Sequence, residues 1–97
     1  MDLTKMKMSL GLYDKIMDIA WSKRICLLNE KKVSNTGRIA KLHNGMWALK
    51  KDYPTAVESS VDDLKKMLIR MPNVGKKCLE YFDEILHEIV EKDKSWI

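Results

Sequence analysis

Apolar side chains recur three and four positions apart along the first third of the chain. This spacing places them on one face of a helix, because an α-helix completes a turn every 3.6 residues. The pattern predicts a helix from about Leu10 to Asn29, with Ser22 as a cap for a second segment if the helix breaks near Trp21. The predicted inward face consists of Leu10, Tyr13, Ile16, Met17, Ala20, Trp21, Ile25 and Leu28.

A polar stretch, "NEKKVSNTGR", follows and predicts a turn. After it, the pattern predicts a short helix from about Thr36 to His43. Asn44-Gly45 favours the left-handed backbone that closes helices, so we expect the short helix to end there. Its predicted inward side chains are Ile39, Ala40 and Leu42.

The stretch "MWALKKDYPTAVESS" is the least regular part of the chain. "MWALK" is compatible with a short strand or a helical turn, and Pro54 disfavours helix at the residue before it. Because large aromatic side chains usually pack inside proteins, we expect Trp47 and Tyr53 to contribute to the core.

The last third carries the clearest helix signals. In "SSVDDLKKMLIR", Ser60 is a good N-cap, and the acids after it favour the positive end of a helix. A second amphipathic pattern predicts a helix to about Lys92. The predicted fold class is therefore all-α: a compact bundle of four to five short helices that ends in a helix-hairpin-helix and a long C-terminal helix. The inward positions of that last helix are Leu79, Phe82, Ile85, Leu86, Ile89 and Val90.

Composition limits the classes of protein that fit. A chain of 97 residues with 45% hydrophobic and 33% charged residues is typical of a single globular domain, 1–97. Its two cysteines and two histidines lack metal-ligand spacing, so we expect no metal or cofactor. No apolar run reaches the ~18 residues of a membrane span. Charges within the first apolar stretch, such as Asp14 and Lys15, argue against a signal peptide, so we expect a cytoplasmic protein.

Charge is unevenly distributed along the chain. Residues 1–57 carry a balance of +6 and residues 58–97 a balance of −2. A basic first half suits a polyanionic partner, although an ordinary solvated surface gives the same count.

The turn "MPNVGKK" carries the most specific pattern. Pro72 disfavours helix before it, and Asn73 tolerates left-handed backbone angles. Val74 can fill a small core at the turn, and Gly75 lets the backbone approach a ligand closely. The next helix then begins beside Lys76 and Lys77, with its free N–H groups directed outward. Such an arrangement attracts anions, of which the nucleic-acid backbone is the commonest large one.

"MPNVGKKCLEYFDEIL" resembles the hairpin of the C-terminal domain of the bacterial RNA polymerase alpha subunit. "VDDLKKML" resembles the helix that leads into that hairpin, and "SKRICLLNEKKVSNTGRIAKL" is similar to the family's earlier arginine-bearing helix and turn. The resemblance covers about 20–43 and 60–92, which leaves about 44–59 as an insertion. The resemblance implies an all-α domain that binds the minor groove of A·T-rich DNA and contacts transcription proteins.

Carried over residue by residue, the resemblance implies a DNA-binding set that includes Gly75, Lys77 and Cys78. Aligned on Gly37, the family's principal arginine falls on Lys23, and a shift of one residue places it on Arg24. The predicted DNA-binding residues, with those from the turn itself, are Lys23, Arg24, Asn73, Gly75, Lys76, Lys77 and Cys78. The chain has cysteine where the family has a hairpin serine, which removes a hydrogen-bonding group suited to phosphate.

Two functions therefore remain open. The first is a small DNA-binding, transcription-related regulator from a bacterium, phage or plasmid. The second is an interaction module or inhibitor that uses the acidic last helix or the insertion to bind a protein, such as the transcription machinery. We expect no enzyme activity, because the sequence shows no catalytic triad order, paired catalytic carboxylates or phosphate-cradling loop.

Overall fold

The computed structural model of the protein describes residues 3–96, with only the backbone described at residues 56 and 57. It is all-α, as predicted. Four α-helices, α1 to α4, and two short 3-10 helices make up the bundle. In chain order they are α1 Leu10–Asn29, α2 Val33–Asp52, the 3-10 helix Pro54–Glu58, α3 Val61–Leu68, α4 Lys76–Lys92 and the 3-10 helix Lys94–Trp96.

Helix α1 has the predicted bounds and runs without a break through Trp21 and Ser22. Its first turn is capped by Ser9, whose hydroxyl accepts a hydrogen bond from the Leu12 amide at 3.2 Å. The predicted face is buried from Tyr13 to Ala20, and Leu12 is buried beside it, whereas Leu10 at its start is 47% exposed. The second half of that face is not: Trp21, Ile25 and Leu28 are about half exposed.

Helix α2 is longer than predicted at both ends: it begins at Val33, inside the stretch predicted as a turn, and the expected stop at Asn44-Gly45 is wrong. The helix passes through Gly45 to Asp52, so "MWALK" is helical. An inward row continues across the glycine through Met46 and Leu49, and burial of that row stabilises the helix beyond the local turn preference. Trp47 and Tyr53, which we expected in the core, are 55% and 60% exposed.

Helices α1 and α2 pack as an antiparallel pair. The buried Tyr13 hydroxyl donates to the Met46 carbonyl oxygen at 2.6 Å. Close to it, the Lys50 ammonium contacts the Asp14 carboxylate, also at 2.6 Å. These two contacts fix the relative position of the two helices.

The chain before α1 packs against the start of α3. The Met8 amide donates to the Ser59 carbonyl at 2.9 Å, and the Val61 amide to the Met6 carbonyl at 2.8 Å. Met8 and Val61 are buried. Ser60 caps α3 as predicted, because its hydroxyl accepts from the Asp63 amide at 3.2 Å.

The core lies between α1, α2 and α4 and is closed at one end by α3. Helix α4 has the predicted end at Lys92 and buries its apolar face. An ion pair of 2.7 Å between Lys65 and Asp83 joins α3 to α4. The largest fully buried side chains are Tyr13, Phe82, Met8, Leu12, Ile16, Ile39, Leu42, Met46, Leu49, Leu64, Leu68 and Ile85.

Candidate nucleic-acid interface

The turn between α3 and α4 has the backbone that its sequence predicts. Asn73 lies in the left-handed region with φ of 68°. The following residue, Val74, is buried with 6% of its surface exposed. The Val74 amide donates to the Met71 carbonyl at 3.2 Å, which closes the turn.

Val74 does more than fill space between the two hairpin helices, because it contacts α2. A Cβ atom added at Gly45 would overlap the Val74 side chain and would also touch Met71. The glycine that the sequence suggested as a helix end is therefore the point where the hairpin turn meets α2. Its role is close approach rather than backbone freedom, since its φ is not positive.

Helix α4 begins with an open N-terminus. Gly75 is the N-cap in extended conformation, without a side-chain cap. The first helical hydrogen bonds run from the Cys78 and Leu79 amides to the Gly75 carbonyl, at 3.1 and 3.2 Å. The earlier amides of α4 precede this ladder, as at any helix start. Apart from its chain neighbours, no described residue has a heavy atom within 4 Å of a Cβ built on Gly75, so a ligand can approach the backbone there.

Two helices place cationic side chains around this N-terminus. Lys76 and Lys77 are exposed at the start of α4. Helix α2 adds Arg38, which lines one groove with Lys77, and Lys41, which lines another with Asn73. We call Arg38, Lys41, Asn73, Gly75, Lys76 and Lys77 the hairpin surface.

Three of the four cations of the hairpin surface have no ion-pair partner among the described residues, while Glu80 and Glu84 line the groove that Arg38 and Lys77 share. In the described part of the chain, no acidic side chain lies within ion-pair distance of Arg38, Lys41 or Lys76. Lys77 lies 3.6 Å from Glu80 in an exposed pair, which contributes little. The cations therefore remain available to an anion.

Cys78 does not belong to this surface, contrary to the sequence prediction. Its side chain is 3% exposed and packs in the core. Its amide already donates to Gly75. A thiol at this position completes the buried face of α4 and cannot contact a phosphate.

Lys23 lines neither of the two grooves of the hairpin surface. Its ammonium lies 3.7 Å from Glu84 and 3.5 Å from Glu88, in the middle and last part of α4. The pKa of Glu88 is lowered, first by a hydrogen bond from Lys92 and then by the charge of Lys23. Lys23 therefore joins α1 to the acidic face of α4.

Arg24 lies in a third environment, beside the aromatic ring of Trp21. Its guanidinium lies 5.0 Å from the centre of the Trp21 ring, and the centre of that ring lies 5.3 Å from the centre of the His43 ring of α2, with the two rings tilted by 51°. The Arg24 Nε atom is buried without a hydrogen-bond partner among the described residues. The structure thus brings Asn73, Gly75 and the two hairpin lysines together, but neither candidate for the family's arginine.

Sequence reasoning missed Arg38 and Lys41. Their spacing of three residues on one helix was a visible signal, since such positions share a face. Both residues lie within the predicted helix from about Thr36 to His43, but no local pattern indicates that this helix packs beside the hairpin turn. Once α2 is one helix, both side chains face the hairpin.

Other kinds of site find less support in the described residues. No group of three or more His, Cys, Asp or Glu side chains within 3–96 is arranged to hold a metal ion. Within the same range, no helix has the length and apolar character needed to cross a bilayer. Comparison with protein-family models gives no match, and the comparisons with curated proteins and solved structures give none either.

Proposed function

We propose that this protein binds DNA through the hairpin surface, as a small transcription-related regulator acting in the cytoplasm. The observation that carries the proposal is the open N-terminus of α4, with exposed cations from two helices beside it. The resemblance of "PNVGKK" to the polymerase alpha hairpin supports DNA as the anion.

The physical basis is backbone recognition. Amides at a helix N-terminus and the positive end of the helix dipole attract a phosphate. Gly75 leaves room for that phosphate, because the space beside its Cα is open. A long side chain at this position would fill the space that the phosphate needs. Arg38 and Lys41 extend the positive region from α4 to α2. Contacts of this kind position a protein on DNA, while sequence is read through base edges or groove shape.

The acidic face of α4 limits how DNA can lie. Glu84 and Glu88 would be repelled by phosphates along the helix. Only the first turn of α4 can approach the duplex, with α2 beside it. In this proposal the Lys23 and Arg24 positions do not contact DNA, and the cations of α2 replace them.

Binding should depend strongly on salt. Four cationic side chains on the hairpin surface can neutralise up to about four phosphates, which gives a slope of about −3.6 for log K against log salt. The test is a fluorescence anisotropy titration with A·T-rich and G·C-rich duplexes at several salt concentrations. Equal affinity for both duplexes would leave backbone binding intact and remove the A·T preference. An affinity that does not change with salt would refute the proposal.

Matched lysine variants locate the site. Lys77→Ala should shallow the salt slope by about one unit. The control is Lys92→Ala at the other end of α4, which also removes an exposed lysine with a glutamate one turn away. Lys41→Ala should act like Lys77→Ala, whereas Lys23→Ala should leave the slope unchanged.

A glycine variant tests the backbone contact. Gly75→Asp adds a side chain and a negative charge at the N-cap, where aspartate is otherwise favourable to the helix. The variant should therefore remain folded by circular dichroism and lose DNA binding. If Gly75→Asp and Lys77→Ala both bind DNA like the parent, the hairpin has only a structural role.

A protein-binding function is the second candidate. The exposure of Trp47 and Tyr53 supports it, because both lie in the segment 44–59 that exceeds the family pattern. Exposed aromatic side chains are typical anchors of protein interfaces. The test is a pull-down from bacterial lysate with the parent and with Trp47→Ala. Capture of a transcription protein by the parent, lost with Trp47→Ala but retained with Lys77→Ala, would favour this function over DNA binding.

A further inference from the structure

A stripe of exposed apolar side chains runs along the second half of α1. Trp21, Ile25 and Leu28 are 46%, 48% and 52% exposed. Their spacing of four and three residues places them on one face, which is the spacing of a seam between two helices. This part of α1 therefore presents a helix-packing face to solvent.

The two ends of the stripe carry opposite charges. Asp18 lies one turn before Trp21 on the same face and is exposed. At the other end, Lys31 and Lys32 follow the last turn of α1 and are exposed. Asp18 and Lys31 form no ion pair with any described residue, while Lys32 lies 3.1 Å from Glu30. A stripe that is acidic at one end and basic at the other complements a reversed copy of itself.

We propose that this stripe is the contact between two copies of the chain, paired antiparallel about a two-fold axis at Ile25. With a rise of about 1.5 Å per residue, Trp21 lies about 6 Å to one side of the axis and Leu28 about 4.5 Å to the other. Trp21 of one copy therefore meets Leu28 of the second. Asp18 lies about 10.5 Å from the axis, toward the turn after α1 of the second copy, which carries Lys31 and Lys32.

The charges at the two ends of the stripe favour the antiparallel pair over a parallel pair. A parallel pair would place Asp18 against Asp18 and the lysines against each other, which is repulsive. The antiparallel pair is isologous, so each favourable contact occurs twice. The three half-exposed side chains and their flanks bury roughly 400 Å² per copy, about half the area of a standard interface. The pair should therefore be weak, with a dissociation constant of roughly 10–500 µM.

The first test is sedimentation velocity of the full chain from about 10 µM to about 1 mM. The parent should shift from monomer to dimer. Ile25→Glu places two carboxylates at the axis and should raise the dissociation constant about 100-fold or more. The control is Ile69→Glu, which adds the same charge at an exposed isoleucine outside α1 and should not affect pairing. Circular dichroism checks that both variants are folded.

A charge exchange then identifies the occupant as a second copy. Asp18→Lys alone, and Lys31→Glu with Lys32→Glu, should each weaken self-association, because both contacts of each pair become repulsive. An equimolar mixture of these two variants should form a mixed dimer, since both of its contacts are attractive. A monomeric parent at about 1 mM overturns the proposal, as does an Ile25→Glu variant that pairs like the parent, or a mixture that shows no mixed dimer.

Discussion

Gly45 and Gly37 make a paired test of how the hairpin turn meets α2. Both are glycines within the same helix, and neither has a positive φ. Outside its own helical turn, a Cβ atom at Gly37 meets no heavy atom of the described residues within 4 Å, whereas a Cβ atom at Gly45 overlaps the Val74 side chain. Alanine therefore has the same effect on the unfolded chain at the two positions, but only at Gly45 does it disturb the packing.

The magnitudes follow from these surroundings. Gly37→Ala should stabilise the protein by roughly 0.5–1 kcal/mol, the usual gain for alanine over glycine in a helix. Gly45→Ala has the same gain but must displace Val74, and overpacking of this kind costs about 1–3 kcal/mol. The net change at Gly45 should be a loss of about 1–2 kcal/mol, so the two variants should differ by about 2 kcal/mol.

The assay is urea unfolding followed by circular dichroism, with an unchanged m-value as the check that only stability has moved. A double variant isolates the contact. Val74→Ala alone should cost about 2 kcal/mol, as for other core truncations, and it makes room for a methyl group at Gly45. Gly45→Ala combined with Val74→Ala should therefore lose about 1–2 kcal/mol less than the two single losses together. Stabilisation of Gly45→Ala by as much as Gly37→Ala would refute the close contact.

Three further changes test separate parts of the fold. Ser60→Ala removes the cap of α3 and should cost about 1 kcal/mol in urea unfolding, whereas Ser22→Ala on the exposed part of α1 should cost much less. Tyr13→Phe should cost about 1 kcal/mol at pH 8, because it removes the buried hydrogen bond to Met46. Burial, and secondarily the charge of Asp14, raises the pKa of Tyr13. The difference in unfolding free energy between the parent and Tyr13→Phe should therefore be complete below pH 10 and shrink by about 1.4 kcal/mol per pH unit above it. A constant difference from pH 8 to 11 would contradict this. Lys92→Ala should raise the lowered pKa of Glu88, measured by NMR titration of its carboxyl carbon, more than Lys23→Ala does.

The sequence predicted the helices whose signals are local. Helix α1 and the end of α4 follow from unbroken apolar periodicity, and the start of α3 follows from the Ser60 cap. Helix α2 was shortened because Asn-Gly is a strong stop signal when only neighbouring residues are considered. A glycine is needed at position 45 because Val74 packs against it. Val74 lies 29 residues further along the chain, so no local sequence pattern predicts this contact.

Errors about exposure have the same origin. Trp47 and Tyr53 were expected in the core because aromatic side chains usually pack there. Once α2 is continuous, Met46 and Leu49 define its inward face, and Trp47 lies about 100° from Met46 on the outer side. The exposure of the second half of α1 could not be predicted either, because periodicity identifies the apolar face of a helix but not which element packs against it.

In the candidate site too, the features set by neighbouring residues were predicted and those set by helix packing were not. The backbone of Asn73, the open position of Gly75 and the exposure of the hairpin lysines depend on residues within one turn, so the sequence predicted them. The partners of that turn depend on how α1 and α2 are rotated in the bundle. The family resemblance therefore pointed to Lys23 or Arg24, whereas the folded chain places Arg38 and Lys41 beside the hairpin.

The cations of α1 and α2 lie beside different parts of α4. Lys23 lies against Glu84 and Glu88, where it offsets acidic charge in the middle and last part of the helix. Arg38 and Lys41 lie beside the start of the helix, where the dipole is already positive. Cationic side chains are therefore concentrated beside the start of α4, while Lys23 offsets only part of the acidic charge further along the helix. Such a gradient directs a polyanion to the first turn of α4 rather than along its length, in keeping with an approach by the hairpin surface alone.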